Sequence, residues 1–340
     1  MLDYRHLVKM TDMIGMLQFS IGNTPNPNSG YTLDDNARAL IVALGKPNGY
    51  LSALTYATWL QKAEQVDGSW SNLLIDGVYT SHFNSPDSIG RGLLACSLGT
   101  SSNWLDISAI CSRLFESQIK QAKSFNSPRG IAYTLIALCK HPDYKHNKTY
   151  ELISRELADK LIDLFHKNKD KNWFWFENYL TYCNGILPQA IFSYYSTSGS
   201  KRALKVGQSS LKFLNDLLFR HGYLNIVGNQ GWYVKDHNLP LFDQQPVDAA
   251  SIIFACMEAY QATGEMEYLE LSLLAYKWYR GKNIHGLSLY DSDTGGCFDA
   301  LTAKGLNLNQ GAESTLSLIL ADTVMVDYLQ NEYDSIEKTS

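Results

Sequence analysis

The sequence predicts an all-α protein that folds as an (α/α)6 toroid, a closed ring of six helical hairpins. Windows of helical length follow one another along all 340 residues, and no long alternating pattern indicates a strand. Amphipathic windows alternate with windows that are apolar on nearly all sides. Polar residues collect where each wholly apolar window begins. No Pro/Ser-rich linker interrupts this order, so residues 1–340 are predicted to form a single domain.

Twelve predicted helices account for most of the chain, at residues 4–20, 33–45, 50–65, 87–99, 103–119, 129–140, 149–167, 178–196, 200–218, 245–263, 266–280 and 311–330. Amphipathic helices such as the one containing 151–165 have one polar face and are expected on the outside of the ring. A helix that is apolar all round is buried all round, which predicts an inner layer. The segments that indicate this inner layer are 39–44, 92–99, 130–139, 185–192, 249–257 and 314–321.

Composition excludes several classes of protein. The chain is 45% hydrophobic and 19% charged, which is enough apolar material for a large core and excludes wholesale disorder. Its net charge of −5 lacks the basic excess of proteins that grip nucleic acid. No apolar run reaches the ~18 residues that span a bilayer, and the first residues lack the unbroken apolar core of a signal peptide. We therefore expect a cytoplasmic protein with neither a membrane nor a nucleic-acid partner.

Motifs for metals and cofactors are absent from the sequence. The 6 cysteines form no C-x-x-C pair and are interpreted as small buried hydrophobic residues. The 8 histidines form no H-E-x-x-H motif and no zinc-like cluster. Glycine-rich phosphate loops and the G-x-S-x-G elbow of serine hydrolases are missing as well. We expect no cofactor and no metal.

The loop at 289–305 is the one segment that leaves a metal conceivable. It contains a D-x-D sequence followed by two adjacent glycines, which predicts a tight turn or a short hairpin. Oxygens at alternate positions could suit calcium, but the 12-residue EF-hand pattern with its final glutamate is incomplete. The favoured expectation is a structured lid over the candidate site, without a metal.

The polar clusters are expected to meet at one end of the ring. All six inner helices begin at the same end, so clusters starting at 34, 87, 129, 178, 243 and 310 would converge on one mouth. Helix capping explains any single cluster, because Asp, Ser and Asn satisfy free N–H groups there. Six clusters with additional carboxylates and carboxamides favour a ligand rich in hydroxyls. The polar residues predicted to bind it are Asp34, Asp87, Arg129, Gln244, Gln245 and Gln310.

Tryptophans near the predicted mouth are expected to contact the same ligand. Sugar rings present C–H faces that pack flat against aromatic side chains, while their hydroxyls bond to polar groups. Trp175 lies in the segment WFWFE, Trp232 lies in a Gly-Trp-Tyr segment, and Trp70 lies in a loop between helices. The alternative is that these aromatic residues only fill a large core.

Carboxyl groups near the mouth are the candidates for catalysis, because glycosidic hydrolysis usually needs one protonated and one ionised carboxyl. The predicted catalytic residues are Asp35, Glu177, Asp243 and Glu313. Asp35 is preferred to Asp34 because one of two adjacent aspartates is expected to point inward while the other caps the helix. Glu177 follows an aromatic run, whose low dielectric would raise its pKa as an acid requires.

Six segments of the chain resemble a known family: GYTLDDNARAL (30–40), SPRGIAYTL (127–135), WFWFE with LPQA (173–190), LFDQQPVDAA (241–250), LYDSDTGGCFDAL (289–301) and NQGAESTLSLILA (309–321). They are similar to an uncharacterised bacterial family of six-hairpin, glycosidase-like domains, which are often joined to or encoded near glycosyltransferases. The resemblance implies an (α/α)6 barrel, a carbohydrate ligand and a glycosyltransferase partner, but no established reaction. The chain departs from the family pattern at Pro86 and Cys183, where acidic residues are expected.

These observations favour a glycoside hydrolase that acts on an oligosaccharide or polysaccharide fragment. The alternative is a non-catalytic glycan-binding or accessory domain that works with a glycosyltransferase. A third class, the terpene-cyclase-like barrels, shares a sequence similar to QVDGSW (65–70), but the D-x-D-D acid of that class is missing here.

Overall fold

The computed structural model describes residues 2–81 and 85–337, with the backbone alone at 327 and 329–337. The α-helices in this part of the chain are α1 (Arg5–Lys9), α2 (Leu33–Gly45), α3 (Tyr50–Ala63), α4 (Pro86–Thr100), α5 (Leu105–Gln118), α6 (Pro128–Lys140), α7 (Lys148–Asn168), α8 (Ile186–Ser198), α9 (Lys201–Leu218), α10 (Pro246–Thr263), α11 (Met266–Tyr276) and α12 (Ala312–Glu337).

The even-numbered helices form a closed inner ring. Each packs against the next, from α2 through α4, α6, α8 and α10 to α12, and α12 packs back against α2. Helices α3, α5, α7, α9 and α11 each pack outside the inner helix that precedes them, while the short α1 contacts α12. The predicted (α/α)6 toroid is therefore confirmed, and the wholly apolar windows supply its inner layer because they alone have no face to offer to water.

Helix boundaries follow local capping chemistry. The hydroxyl of Thr32 accepts the N–H of Asp35 at the start of α2, and the hydroxyl of Ser127 accepts the N–H of Gly130 at the start of α6. Glycines in the left-handed conformation end α8 and α10, at Gly199 (φ +69°) and Gly264 (φ +74°). These signals explain why most predicted boundaries lie within two residues of the observed ones.

Two predicted helices are much shorter than expected, and a third, 266–280, ends at Tyr276. The window 4–20 contains only α1, because the Asp12 carboxylate accepts the N–H groups of Ile14 (2.8 Å) and Gly15 (3.2 Å) and turns the chain there. The window 178–196 begins as a strand and becomes helical only at Ile186. Between them, Cys183 adopts a left-handed conformation (φ +46°), which is incompatible with a continuing helix.

Short antiparallel strands join the loops between helices, whereas the sequence predicts a short hairpin only within 289–305. They are β1 (Ser20–Ile21), β2 (Thr24–Pro25), β3 (Tyr31–Thr32), β4 (Leu73–Ile75), β5 (Val78–Thr80), β6 (Tyr179–Leu180), β7 (Tyr233–Val234), β8 (Ala300–Thr302) and β9 (Gly305–Asn307). They pair as β1–β2, β3–β4–β5, β6–β7 and β8–β9. Strands of two or three residues are too short to show an alternating pattern. None of the described helices is long and apolar enough to cross a bilayer.

Two glycines allow α4 and α6 to approach each other closely. A Cβ added at Gly130 would lie 2.7 Å from Cβ of Pro86 and 2.9 Å from its carbonyl oxygen. A Cβ added at Gly90 would lie 2.8 Å from Cβ of Tyr133. These distances are shorter than normal van der Waals contacts, so the ring closes here only because the side chains are absent.

We expect Gly130→Ala to destabilise the protein by about 1–3 kcal/mol, because the backbone of α4 must move to admit the methyl group. Gly45→Ala is the matched control: Gly45 ends α2, is exposed and has no atom near its added Cβ, so the change should be neutral or slightly stabilising. Urea unfolding of the two variants measures the difference. Equal stabilities would show that the α4–α6 contact is not tight.

Candidate active site

A polar pocket of about 310 Å³ lies where α2, α10 and α12 begin. The N-terminal segment before α2 and the β8–β9 hairpin complete its wall, through residues such as Phe19 and Asn307. Five carboxyl groups line it, from Asp34, Asp35, Asp243, Asp299 and Glu313. Four of these were selected from the sequence, and the ring places them together although they come from three distant segments.

Arg38 joins two of the carboxyl groups across the ring. Its Nη1 donates to Oδ1 of Asp35 at 3.3 Å, and its Nη2 donates to Oε2 of Glu313 at 2.8 Å. The Arg38 side chain is only 8% exposed, whereas that of Glu313 is 42% exposed. One guanidinium therefore holds the carboxyls of α2 and α12 on the same side of the pocket.

Asp35 is a buried carboxyl group that tends to keep its proton. Its side chain is 6% exposed, and the Thr32 hydroxyl donates to its Oδ2 at 2.7 Å. Burial raises the pKa of Asp35 to about 7, although Arg38 and Thr32 oppose this change. Asp35 can therefore carry a proton near neutral pH, which a general acid must do.

Asp34 has a different environment from its neighbour. Its Oδ2 accepts a hydrogen bond from Nη1 of Arg91 at 3.0 Å. Burial disfavours its charge, but Arg91 and Arg38 outweigh burial and hold the pKa of Asp34 below its ordinary value. Asp34 was expected to cap α2; that expectation is wrong, because Thr32 caps the helix.

Asp243 precedes α10, and hydrogen bonds to the segment 229–230 hold it in place. The backbone of Asn229 donates to the Asp243 carbonyl at 3.1 Å, and Nε2 of Gln230 donates to Oδ1 of Asp243 at 3.2 Å. Gly228 lies directly against Phe242, and any side chain there would collide with its backbone. Within the described residues no basic side chain forms an ion pair with Asp243. The carboxylate is thus fixed in place but not neutralised.

Asp299 was not selected from the sequence. Its Oδ1 accepts the N–H of Gly311 at 2.8 Å and the hydroxyl of Ser314 at 2.7 Å, so it caps α12 from outside that helix. Burial raises the pKa of Asp299 despite these two bonds. The sequence predicts a turn or short hairpin and a lid over the site for 289–305, the segment that contains Asp299, but no role for Asp299 itself.

Asp248 is a second carboxyl group that the sequence reading passed over. It lies in the first turn of α10 and is 4% exposed, and it accepts the backbone N–H of Cys183. Burial raises the pKa of Asp248 to about 8, and the charge of Glu313 acts in the same direction. Its spacing after Pro246 is that of an ordinary first-turn helix acid, so the sequence offered no signal of its burial.

The opposite side of the mouth contains a separate polar cluster. Nη1 of Arg129 donates to Oε2 of Glu177 at 2.9 Å, and its Nε donates to the carbonyl of Tyr182 at 2.6 Å. Asp87 accepts hydrogen bonds from the hydroxyls of Tyr182 and Ser127. Neither Glu177 nor Arg129 lines the polar pocket. Glu177 was predicted to be an acid in an apolar, aromatic setting, but its carboxylate forms an ion pair with Arg129 outside the polar pocket.

Two of the three glutamines predicted to bind the ligand form hydrogen bonds inside the protein instead. The Gln244 side chain donates to Asn225 at 2.7 Å and accepts from the Trp278 indole at 3.1 Å. The Gln310 side chain donates to Asp291 at 2.7 Å and accepts from a threonine hydroxyl at 2.8 Å. Both are buried with their polar atoms occupied, so they do not line the pocket. Gln245 does line it.

The tryptophan predictions are wrong for two of the three residues. Trp70 and Trp175 are each 0% exposed; Trp70 donates to the carbonyl of Leu60, and Trp175 packs among phenylalanines. Trp232 is half-buried, and its ring centre lies 6.4 Å from that of Tyr182 on the other side of the mouth. Among the described residues that line the polar pocket, the aromatic side chain is that of Phe19, which is 53% exposed.

The loop at 289–305 forms part of the pocket wall without the features of a metal site. Asp291 accepts hydrogen bonds from Gln310, from the hydroxyl of Thr294 and from the N–H of Asp293. In residues 2–81 and 85–337 no three His, Cys, Asp or Glu side chains are grouped closely enough to hold a metal ion. The hairpin β8–β9 at the end of this loop contributes Ala300 and Asn307 to the wall.

Comparison with known proteins identifies the fold. No family model matches the chain, and no curated protein matches it. A sugar epimerase from a ruminal bacterium is 12% identical, with a TM-score of 0.71 over 94% of this chain and 95% of that chain. A cellobiose 2-epimerase from Bacillus thermoamylovorans is 9% identical, with a TM-score of 0.71 over the same shares of the two chains.

A third similar structure is the GH76 α-mannanase of Bacteroides thetaiotaomicron. It is 11% identical, with a TM-score of 0.63 over 89% of this chain and 88% of that chain. The chain has the (α/α)6 fold of these enzymes. At such identities the likeness concerns the fold, and the chemistry must be argued from the pocket itself.

We expect the free energy of unfolding to decrease as pH rises from about 4 to about 8. Folded Asp35 and Asp248 keep protons that they lose in the unfolded chain, so the folded state binds more protons in this range. Asp248→Asn can still accept the N–H of Cys183 but does not titrate. Its stability should therefore decrease by about 1–3 kcal/mol less than that of the wild type over this range.

The control for this prediction is Asp293→Asn, the same substitution on an exposed loop. Its stability should follow the wild-type curve. Urea unfolding between pH 4 and pH 8 provides the measurement. Parallel curves for all three proteins would show that Asp248 is ionised in the folded state.

Proposed function

We propose that the protein is a glycoside hydrolase that acts on an oligosaccharide or polysaccharide fragment. The observation that carries the proposal is that one pocket is lined by Asp35, a buried carboxyl group whose pKa is raised to about 7, and by Asp243, which forms no ion pair among the described residues. Hydrolysis of a glycosidic bond needs one carboxyl group that donates a proton and a second that acts as base or nucleophile.

Asp35 is the proposed general acid. Its proton passes to the oxygen of the leaving group as the bond from that oxygen to the anomeric carbon breaks. A carboxyl group with a pKa of about 7 is half protonated at neutral pH, whereas an ordinary aspartic acid is almost fully ionised. Burial therefore suits Asp35 to this step better than any other carboxyl that lines the pocket.

Asp243 is the proposed base, which takes a proton from the water that attacks the anomeric carbon. Glu313 is the other candidate, but its Oε2 already accepts a hydrogen bond from Arg38 and is less free to accept one from a water molecule. Among the described residues, the Asp243 carboxyl group accepts a hydrogen bond from the neutral amide of Gln230 and forms no ion pair. Glu313 then serves to stabilise the positive charge that develops on the sugar ring.

Epimerisation is the main competing reaction, since the structures with this fold include sugar epimerases. Epimerisation beside a carbonyl requires a base that removes a proton from carbon, commonly a histidine. The described residues that line the polar pocket include no histidine. The carboxyl pair supports hydrolysis instead.

A non-catalytic glycan-binding or accessory protein, working with a glycosyltransferase, is the second candidate. Internal pairing of the acidic residues favours it: Asp34 bonds to Arg91, Glu313 bonds to Arg38, and both oxygens of Asp35 accept hydrogen bonds. Carboxyl groups held in this way can bind hydroxyls without taking part in chemistry. The two functions differ in whether a product forms.

We expect Asp35→Asn and Asp243→Asn each to lower turnover by about 10²–10⁴-fold, because the amide keeps the shape of the side chain but cannot transfer a proton. The wild-type rate should decrease as pH rises through about 7, where Asp35 loses its proton. The measurement is release of reducing ends from a panel of α- and β-linked oligosaccharides.

The matched control is Asp67→Asn, on an exposed loop away from the pocket, which should retain wild-type turnover. Thermal melting checks that each variant remains folded. A folded wild-type protein that binds members of the panel but releases no product would reject hydrolysis in favour of the glycan-binding function. Full activity in Asp243→Asn would transfer the role of base to Glu313.

A further inference from the structure

The charges that line the polar pocket are strongly unbalanced. Five carboxyl groups line it, and Arg38 is the one basic side chain among the described residues of its wall. Even with Asp35 protonated, the acidic residues outnumber the basic one. An interior of lower dielectric than water strengthens the effect of such an excess on a bound molecule.

The nearby arginines are already occupied by protein carboxylates. Arg38 donates one Nη to Asp35 and the other to Glu313. Arg91, which does not line this pocket, donates one Nη to Asp34 and lies 4.6 Å from the centre of the Tyr133 ring. An incoming carboxylate, phosphate or sulfate in this pocket would therefore have to displace a protein carboxylate to reach Arg38, the basic side chain of the described wall.

Asp243 and Asp299 provide the part of the charge that no cation offsets. Each accepts hydrogen bonds through Oδ1, from Gln230 for Asp243 and from Gly311 and Ser314 for Asp299. In the part of the chain that the structure describes, their Oδ2 atoms receive no hydrogen bond and neither residue forms an ion pair. These oxygens remain available to hydroxyl or amino groups of a ligand.

The neutral surface of Phe19 completes the wall. Its N–H donates to the hydroxyl of Ser29 at 3.0 Å, which fixes the backbone, and its exposed ring lies at the edge of the carboxyl groups. An aromatic ring beside hydrogen-bond acceptors suits a sugar, whose C–H face is apolar and whose edge carries hydroxyls. The Phe19 ring has no hydrogen-bond donor or positive charge with which to bind an anionic group.

We propose that the pocket selects glycans without anionic substituents, accepting neutral or amino sugars and rejecting uronic acids, sugar phosphates and sugar sulfates. This inference rests on the proposed function, in that the pocket is taken as a glycan site. It does not depend on hydrolysis, because charge selection acts on binding itself.

Calorimetric titration of the wild-type protein with matched pairs of disaccharides tests the selection. Each pair consists of a neutral disaccharide of glucose, mannose or galactose and its uronic-acid counterpart. For each pair that binds, we expect the neutral disaccharide to bind at least about tenfold more tightly than its uronic-acid counterpart. The reason is the repulsion between the uronic carboxylate and the pocket carboxylates a few ångströms away in a partly buried site. An acidic member that binds as tightly as its neutral partner would overturn the proposal.

Asp299→Asn measures how much of the selection comes from one carboxylate. The amide oxygen can still accept the bonds that cap α12, while the negative charge is removed. The ratio of the two affinities should decrease by about threefold or more. Asp293→Asn lies on the same loop but outside the pocket, and it should leave the ratio unchanged. An unchanged ratio in Asp299→Asn would reject this source of the selection.

The remaining outcomes separate this inference from the proposed hydrolase. Neutral disaccharides that bind with the expected selection but are not cleaved would leave the inference standing and reject hydrolysis. Cleavage of uronic-acid members at rates equal to those of neutral members would reject the inference and leave hydrolysis standing. Failure of every pair to bind would reject both, because the pocket would then not be a glycan site.

Discussion

Closure of the ring between its first and last inner helices is the constraint on which the rest of the structure depends. Arg38 of α2 and Glu313 of α12 are 275 positions apart in the chain, yet their side chains form an ion pair at 2.8 Å. Bringing such distant segments together costs conformational entropy that only burial on both sides of the seam can offset. His6 and Ser20 reinforce the seam through hydrogen bonds to the backbone of Gln310.

The same closure creates the candidate site and brings its carboxyl groups close enough to repel one another. Once α12 lies beside α2, the carboxyl groups at their starts share one pocket, and burial with mutual repulsion raises the pKa of Asp35 and Asp299. Arg38 and Arg91 relieve part of this cost by pairing with three of the carboxyl groups. Asp243 and Asp299 form no ion pair among the described residues, and both line the pocket where a ligand would bind.

The structure also shows how loosely the fold constrains the chemistry. Proteins with 9–12% identity share the fold over 88–95% of their own length, so most residue identities can change without changing the fold. Among them are epimerases and a glycoside hydrolase. Reactions on one fold differ because the side chains at the site differ. In this protein, five carboxyl groups from the described residues line the pocket.

The sequence alone determined the ring and the place of its mouth. Apolar windows such as 130–139 could only be buried, and polar residues at the inner-helix starts predicted which end would hold a pocket; Asp35, Asp243 and Glu313 lie in it. Their spacing along the chain was sufficient for this because all inner helices begin at the same end of the ring.

Only the tertiary structure decided which way each side chain points and what it meets. Gln244 and Gln310 lie beside pocket residues in the sequence, but their amides turn into the protein and bond there. Trp175 is buried, whereas Asp299 reaches the pocket from a loop and caps a helix it does not belong to. Helix starts can be located from local patterns, but the orientation of these side chains is set by partners 12 to 34 positions away in other elements, which no local pattern contains.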